Sequence, residues 1–137
     1  MTGPGGEEDP VAWLRAQVEA RMATAKLAAR EGGAWTQADP ERYPASIESL
    51  GGTVVYDELA PDEYQAAHIA MNDPQDTIAR CEAELAILDE HGGEHMCFEN
   101  TRDGNSWAWY EGDCRMIRQI AGGYRHKPGY REEDWKP

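Results

Sequence analysis

Four side chains with metal-ligand chemistry fall close together in one stretch: His91, His95, Cys97 and Cys114, spaced His-x3-His-x-Cys-x16-Cys. Two imidazoles and two thiols form a donor set that suits tetrahedral zinc. The competing reading is two ordinary reduced thiols with both histidines in solvent, because no Cys-x-x-Cys pair is present. A Cys97–Cys114 disulfide is disfavoured. The chain has three cysteines, and Glu7, Glu8 and Asp9 stand where a signal peptide would be basic and then apolar, which implies a reducing, cytoplasmic setting. A catalytic metal would need an open coordination position and a general base, for which Glu94 or Glu99 is available, but no His-Glu-x-x-His stretch exists. Of the remaining candidates, Cys81 falls on an apolar helical seam, His68 on a short helix after Ala66-Ala67, and His126 in the basic run Arg125-His126-Lys127. Each reads as a packed or surface side chain rather than a ligand.

Other chemistries find no support in the residue pattern. No Cys–His pair sits in a recognisable nucleophile motif. Asp62-Glu63, Asp89-Glu90 and Glu132-Glu133 are adjacent in sequence, so on a helix they diverge around the axis and stay solvated. Gly51-Gly52, Gly92-Gly93 and Gly122-Gly123 lack the Lys-Ser/Thr that a phosphate loop requires. With 13 Lys+Arg against 26 Asp+Glu and a formal charge of −13, the chain is poorly suited to nucleic-acid phosphates or an anionic membrane. The charge is uneven. Residues 43–101 carry thirteen acidic side chains and only Arg80, whereas residues 102–137 carry seven basic and six acidic.

The elements that must position these residues are built on a thin aliphatic supply. Leu, Ile, Val and Phe number 17 of 137, while five Trp and six Tyr offer larger surfaces in compensation. Residues 1–8 show no apolar pattern and are expected to form a flexible tail before a single domain over 9–137. Asp9-Pro10 opens a helix in which Val11, Leu14, Val18, Met22, Ala25 and Ala29 recur at spacings of three and four, ended by Gly32-Gly33. Pro40 and Pro44 mark a loop after Trp35. Gly51-Gly52 between Ser46–Leu50 and Thr53–Tyr56 predicts a small β-hairpin. A short helix is expected over Asp62–Met71. A second Asp-Pro signal, Asp73-Pro74, starts a helix with the seam Ile78, Cys81, Leu85 and Leu88, closing near His91. Residues 92–110 read as irregular apart from a short strand at Trp107–Tyr110. A last helix over about Gly112–Ala121 buries Cys114, Ile117 and Ile120, and the aromatic end (Tyr124, Tyr130, Trp135) is expected to pack back.

These segments resemble a group of small uncharacterised actinobacterial and actinophage proteins, a domain of unknown function. The resemblance rests on Trp13-Leu14-Arg15, Gly33-Ala34-Trp35, Ala67-His68-Ile69-Ala70 with Asp73-Pro74, Leu88-Asp89-Glu90-His91, Cys114-Arg115, and Pro128–Glu133 before Trp135. It implies no reaction, cofactor or catalytic residue. Members of that group often carry Cys-x-x-Cys before the last helix; here Asn100 stands where the second thiol would be.

The expected architecture is α+β and mostly helical: a long N-terminal helix packed with the 74–91 helix, a small hairpin, and a C-terminal helix with an aromatic tail. The expected role is a non-catalytic accessory or interaction protein with a structural zinc site at His91, His95, Cys97 and Cys114. One alternative is an acidic, DNA-mimic-like inhibitor that occupies a basic nucleic-acid-binding protein. Another is a small metal-dependent hydrolase.

Overall fold

The computed structural model describes residues 9–39, 41–55, 62–101 and 104–137. The expected tail over 1–8 lies outside the described residues. The architecture is α+β, in the order α1 (Pro10–Ala28), β1 (Thr36–Asp39), β2 (Tyr43–Ser49), β3 (Gly52–Val55), α2 (Glu63–Met71), α3 (Pro74–His91), β4 (Glu94–Thr101), β5 (Gly104–Glu111), α4 (Arg115–Gly122) and α5 (Glu132–Trp135). The chain forms two compact units, residues 20–82 and residues 1–19 with 83–137.

Within residues 20–82, β1, β2 and β3 make an antiparallel sheet in that order. The expected hairpin is therefore present as β2–β3, with Ser49 opposite Gly52. The segment expected as loop supplies a further edge strand, β1, with Gln37 opposite Ile47. Ile47 and Ala66 are fully buried and Trp35, Val55 and Ile69 pack on them, so α2 covers the sheet through one small cluster. Helix starts follow local capping chemistry. The Asp62 side chain accepts from Gln65 N at 2.8 Å while Gln65 returns a bond to Asp62 N at 2.9 Å. Asp73 caps α3 through Asp76 N at 2.8 Å, and its second carboxylate oxygen accepts from Trp35 N at 3.0 Å.

The other unit holds the first turns of α1, the last turns of α3, the β4–β5 hairpin, α4 and α5. Asp9 accepts from Val11 N at 3.0 Å at the start of α1. Arg15 on α1 pairs with Asp89 on α3 at 3.0 Å, joining the two helices expected to associate. Leu14, Val18, Leu88, Ile117 and Ala121 are fully buried. Ile120, expected in the core, is only half-buried. The aromatic end does pack back: Trp13 lies 5.2 Å from Trp135 and 5.8 Å from Tyr130, centroid to centroid. Trp13 Nε1 also donates to Pro128 O at 3.2 Å. Gly129 permits this approach, with φ of +92° and a position where a Cβ would come within 2.6 Å of Trp13 Nε1.

The strand expected at Trp107–Tyr110 is present within β5, but the stretch before it, expected to be irregular, supplies β4 and the start of β5, which pair antiparallel along their whole length, from Glu94↔Glu111 to Thr101↔Gly104. The period-two signal is concealed because both faces carry large side chains. His95 and Cys97 point to one face, Met96 and Phe98 to the other.

Candidate metal centre

Three elements meet at the four predicted ligands. His91 is the last residue of α3, His95 and Cys97 alternate on β4, and Cys114 is the residue before α4. Gly92-Gly93 makes the turn from helix to strand, where Gly92 N donates to Leu88 O at 2.6 Å and Gly112 N closes the hairpin base on Gly93 O at 3.0 Å. Asp113 and Arg118 form a two-pronged pair at 2.7 and 3.0 Å that fixes the first turn of α4 beside Cys114. That hydrogen bond to Asp113 raises the Arg118 pKa above its ordinary value, with burial opposing and the carboxylate's charge assisting.

One ligand atom from each of His91, His95, Cys97 and Cys114 lies within 4.8 Å of every other. His91 Nδ1 lies 3.6 Å from Cys114 Sγ and 3.8 Å from Cys97 Sγ. The edges of a tetrahedron with Zn–N and Zn–S bonds of about 2.0–2.3 Å run to about 3.3–3.8 Å. Cys97 and Cys114 are buried, both histidines are half-buried, and no disulfide joins the thiols. The two rings meet edge to face, 4.8 Å apart, and Tyr110 stacks on His95 at 5.9 Å from across the hairpin.

Hydrogen bonding alone does not account for this arrangement. His95 Nδ1 lies 2.8 Å from Gly93 O and donates to it, since a carbonyl can only accept. In the neutral ring Nε2 is then a bare lone pair, and it is buried without a hydrogen-bond partner among the described residues. An orphaned buried acceptor is unfavourable by about 1–3 kcal/mol. His91 Nδ1 faces two thiols, yet it has at most one lone pair to offer. A backbone carbonyl orienting one ring nitrogen so that the other can ligate is the usual support of a metal-bound histidine. Two thiolates would also cancel the charge of a divalent cation, leaving a neutral group to bury.

The remaining predicted positions fall apart from this cluster. Cys81 is fully buried in α3, as the seam predicts. His68 is exposed on α2, its Nδ1 3.4 Å from Asn72 Nδ2, and His126 is exposed. Glu94 is exposed on the strand face opposite His95 and Cys97. Sequence reasoning misses Tyr110 and the Gly93 carbonyl. Both follow only from the hairpin register, which the sequence pattern conceals.

A profile described as a family of unknown function (DUF6221) matches residues 7–137. No curated protein and no solved structure matches the chain.

Proposed function

The chain belongs to the DUF6221 family, and we propose that it is a non-catalytic accessory protein whose β4–β5 hairpin is clamped to α3 and α4 by a structural zinc ion held by His91, His95, Cys97 and Cys114. The observation that carries this reading is His95. Its ring is oriented by Gly93 O, and its second nitrogen is buried without a hydrogen-bond partner among the described residues, beside two thiols and a second imidazole. Bound zinc would give His95 Nε2 a partner and tie all four groups to one centre. Four protein donors complete a tetrahedron, the closed arrangement of structural sites, whereas a hydrolytic zinc keeps one position for water. Glu94, one of the two bases such a hydrolase could use, lies on the other face of the strand, while the Glu99 side chain lies outside the described residues.

The clamp answers a need set by composition. The chain has few aliphatic residues, and an isolated two-stranded hairpin is at best marginally stable in water. A metal joining the end of α3, the middle of β4 and the start of α4 holds that hairpin without a larger core. Elemental analysis of protein purified without chelators tests the reading. It should find about one equivalent of zinc; less than about 0.2 equivalents contradicts it.

A further inference from the structure

The face of the hairpin turned away from the metal ligands is unusually apolar for an exposed surface. Met96 stands opposite Trp109, and Phe98 opposite Trp107. Their exposures are 50% and 58% for the first pair, 49% and 65% for the second. The Phe98 and Trp107 rings lie 5.2 Å apart, so the four side chains form a continuous platform. A patch of large apolar groups in solvent marks a surface that is covered in use. At one end of the same face Glu94 stands directly opposite Glu111. Both are exposed, and neither carboxylate has a hydrogen bond or ion pair among the described residues. Like charges directly across a strand pair oppose its formation, and a cation between them reverses the sign.

We propose that this face binds an arginine-bearing, extended segment of a partner protein, with guanidinium groups stacked on Trp107 and Trp109 and paired with Glu94 and Glu111. A guanidinium suits both halves of the surface, because it lies flat on an indole and meets a carboxylate with a planar fork of donors. Charge complementarity decides among occupants. A nucleic-acid strand also stacks on aromatic rings, but its phosphates would face two carboxylates on a chain of net charge −13. A second copy docked face to face by two-fold symmetry would bring the same acidic groups to one interface. The platform is on the side of β4 opposite Cys97, so the segment and a zinc ion would occupy different faces of one hairpin.

The test is titration of the isotopically labelled full chain, followed through the indole N–H signals of its five tryptophans. The probe is a short peptide alternating arginine and leucine; the same peptide with glutamate for arginine and a short oligothymidylate serve as comparisons. The arginine peptide should shift the Trp107 and Trp109 signals and leave those of Trp13 and Trp135 in place, with a dissociation constant below about 1 mM. The double substitution Glu94→Gln, Glu111→Gln should weaken binding about tenfold, as should a rise in salt from about 0.05 to about 0.5 M. Unchanged Trp13 and Trp135 signals and unchanged zinc content in that variant show that its fold and its metal are intact. No indole shift at about 1 mM peptide overturns the proposal. So does an equal response to the glutamate peptide or the oligothymidylate, or a dilution-dependent shift of the two indoles that reports self-association. Zinc content measured in the same samples separates failure here from failure of the metal clamp.

Discussion

His95 shows how a single backbone carbonyl can set the chemistry of a side chain. Gly93 O accepts a hydrogen bond from Nδ1–H at 2.8 Å and thereby leaves a lone pair on the buried Nε2. Replacing His95 or Cys97 removes one of four donors in the proposed site. His95→Ala and Cys97→Ser should each reduce bound zinc to below about 0.2 equivalents and lower Tm by about 10 °C, read by elemental analysis and thermal denaturation. Cys81→Ser is the matched control: it places a hydroxyl where a fully buried thiol packs in α3, so Tm should fall while about one equivalent of zinc remains. Loss of zinc in the Cys81 variant, or its retention in the other two, would contradict the assignment. At this scale the sequence was informative about which four residues converge, because imidazoles and thiols are rare and chemically distinctive. It could not reveal which nitrogen of His95 is available, since that depends on the turn geometry at Gly93.

The elements divide according to whether their signals are local. Asp9-Pro10 and Asp73-Pro74 mark helix starts through side chains that satisfy nearby backbone amides, so these are legible residue by residue, whereas the Asp62–Gln65 capping box at α2 emerges only in the structure. Of the β4–β5 hairpin only the Trp107–Tyr110 part of β5 is legible, because apolar side chains occupy both faces of its strands and erase the alternation that marks a half-buried strand. β1 is hidden differently: Thr36–Asp39 carries no run of large apolar residues and is followed by Pro40. Asp73 serves two elements, capping α3 and holding Trp35 N, so Asp73→Ala should be destabilising by about 1–2 kcal/mol in chemical denaturation. Gly112 closes the hairpin base with φ of +97°, and a Cβ there would lie 3.1 Å from both Gly92 O and Val11 Cγ2. Gly112→Ala should therefore be destabilising by about 1–3 kcal/mol. Gly122→Ala, at the end of α4 with open space around its Cα, should be neutral or stabilising by up to about 1 kcal/mol. Equal effects of the two alanines would show that backbone conformation at Gly112 is not what shapes the hairpin base.

For the molecule as a whole, composition alone warns that aliphatic burial is scarce, and the structure shows what takes its place. Trp13, Tyr130 and Trp135 enclose the C-terminal end, with Trp135 almost fully buried. Trp135→Ala should be destabilising by about 3–5 kcal/mol, the range for truncating a buried tryptophan, and should change the near-ultraviolet dichroism of its neighbours. The Asp113–Arg118 pair adds no pH sensitivity from the arginine side near neutrality. A raised arginine pKa contributes fully below the unfolded value and is lost only as pH climbs past the folded one, far above neutrality. The acidic excess in residues 43–101 was plain from the sequence, yet the exposed platform of Met96, Phe98, Trp107 and Trp109 was not, since large apolar residues ordinarily imply a core. X-ray absorption at the zinc edge of the purified protein reads the proposed clamp at the metal itself. A structural clamp should give a four-coordinate ion with two sulfur neighbours at about 2.3 Å and two imidazole nitrogens at about 2.0 Å. A coordination shell of oxygen and nitrogen alone, without sulfur, would contradict it.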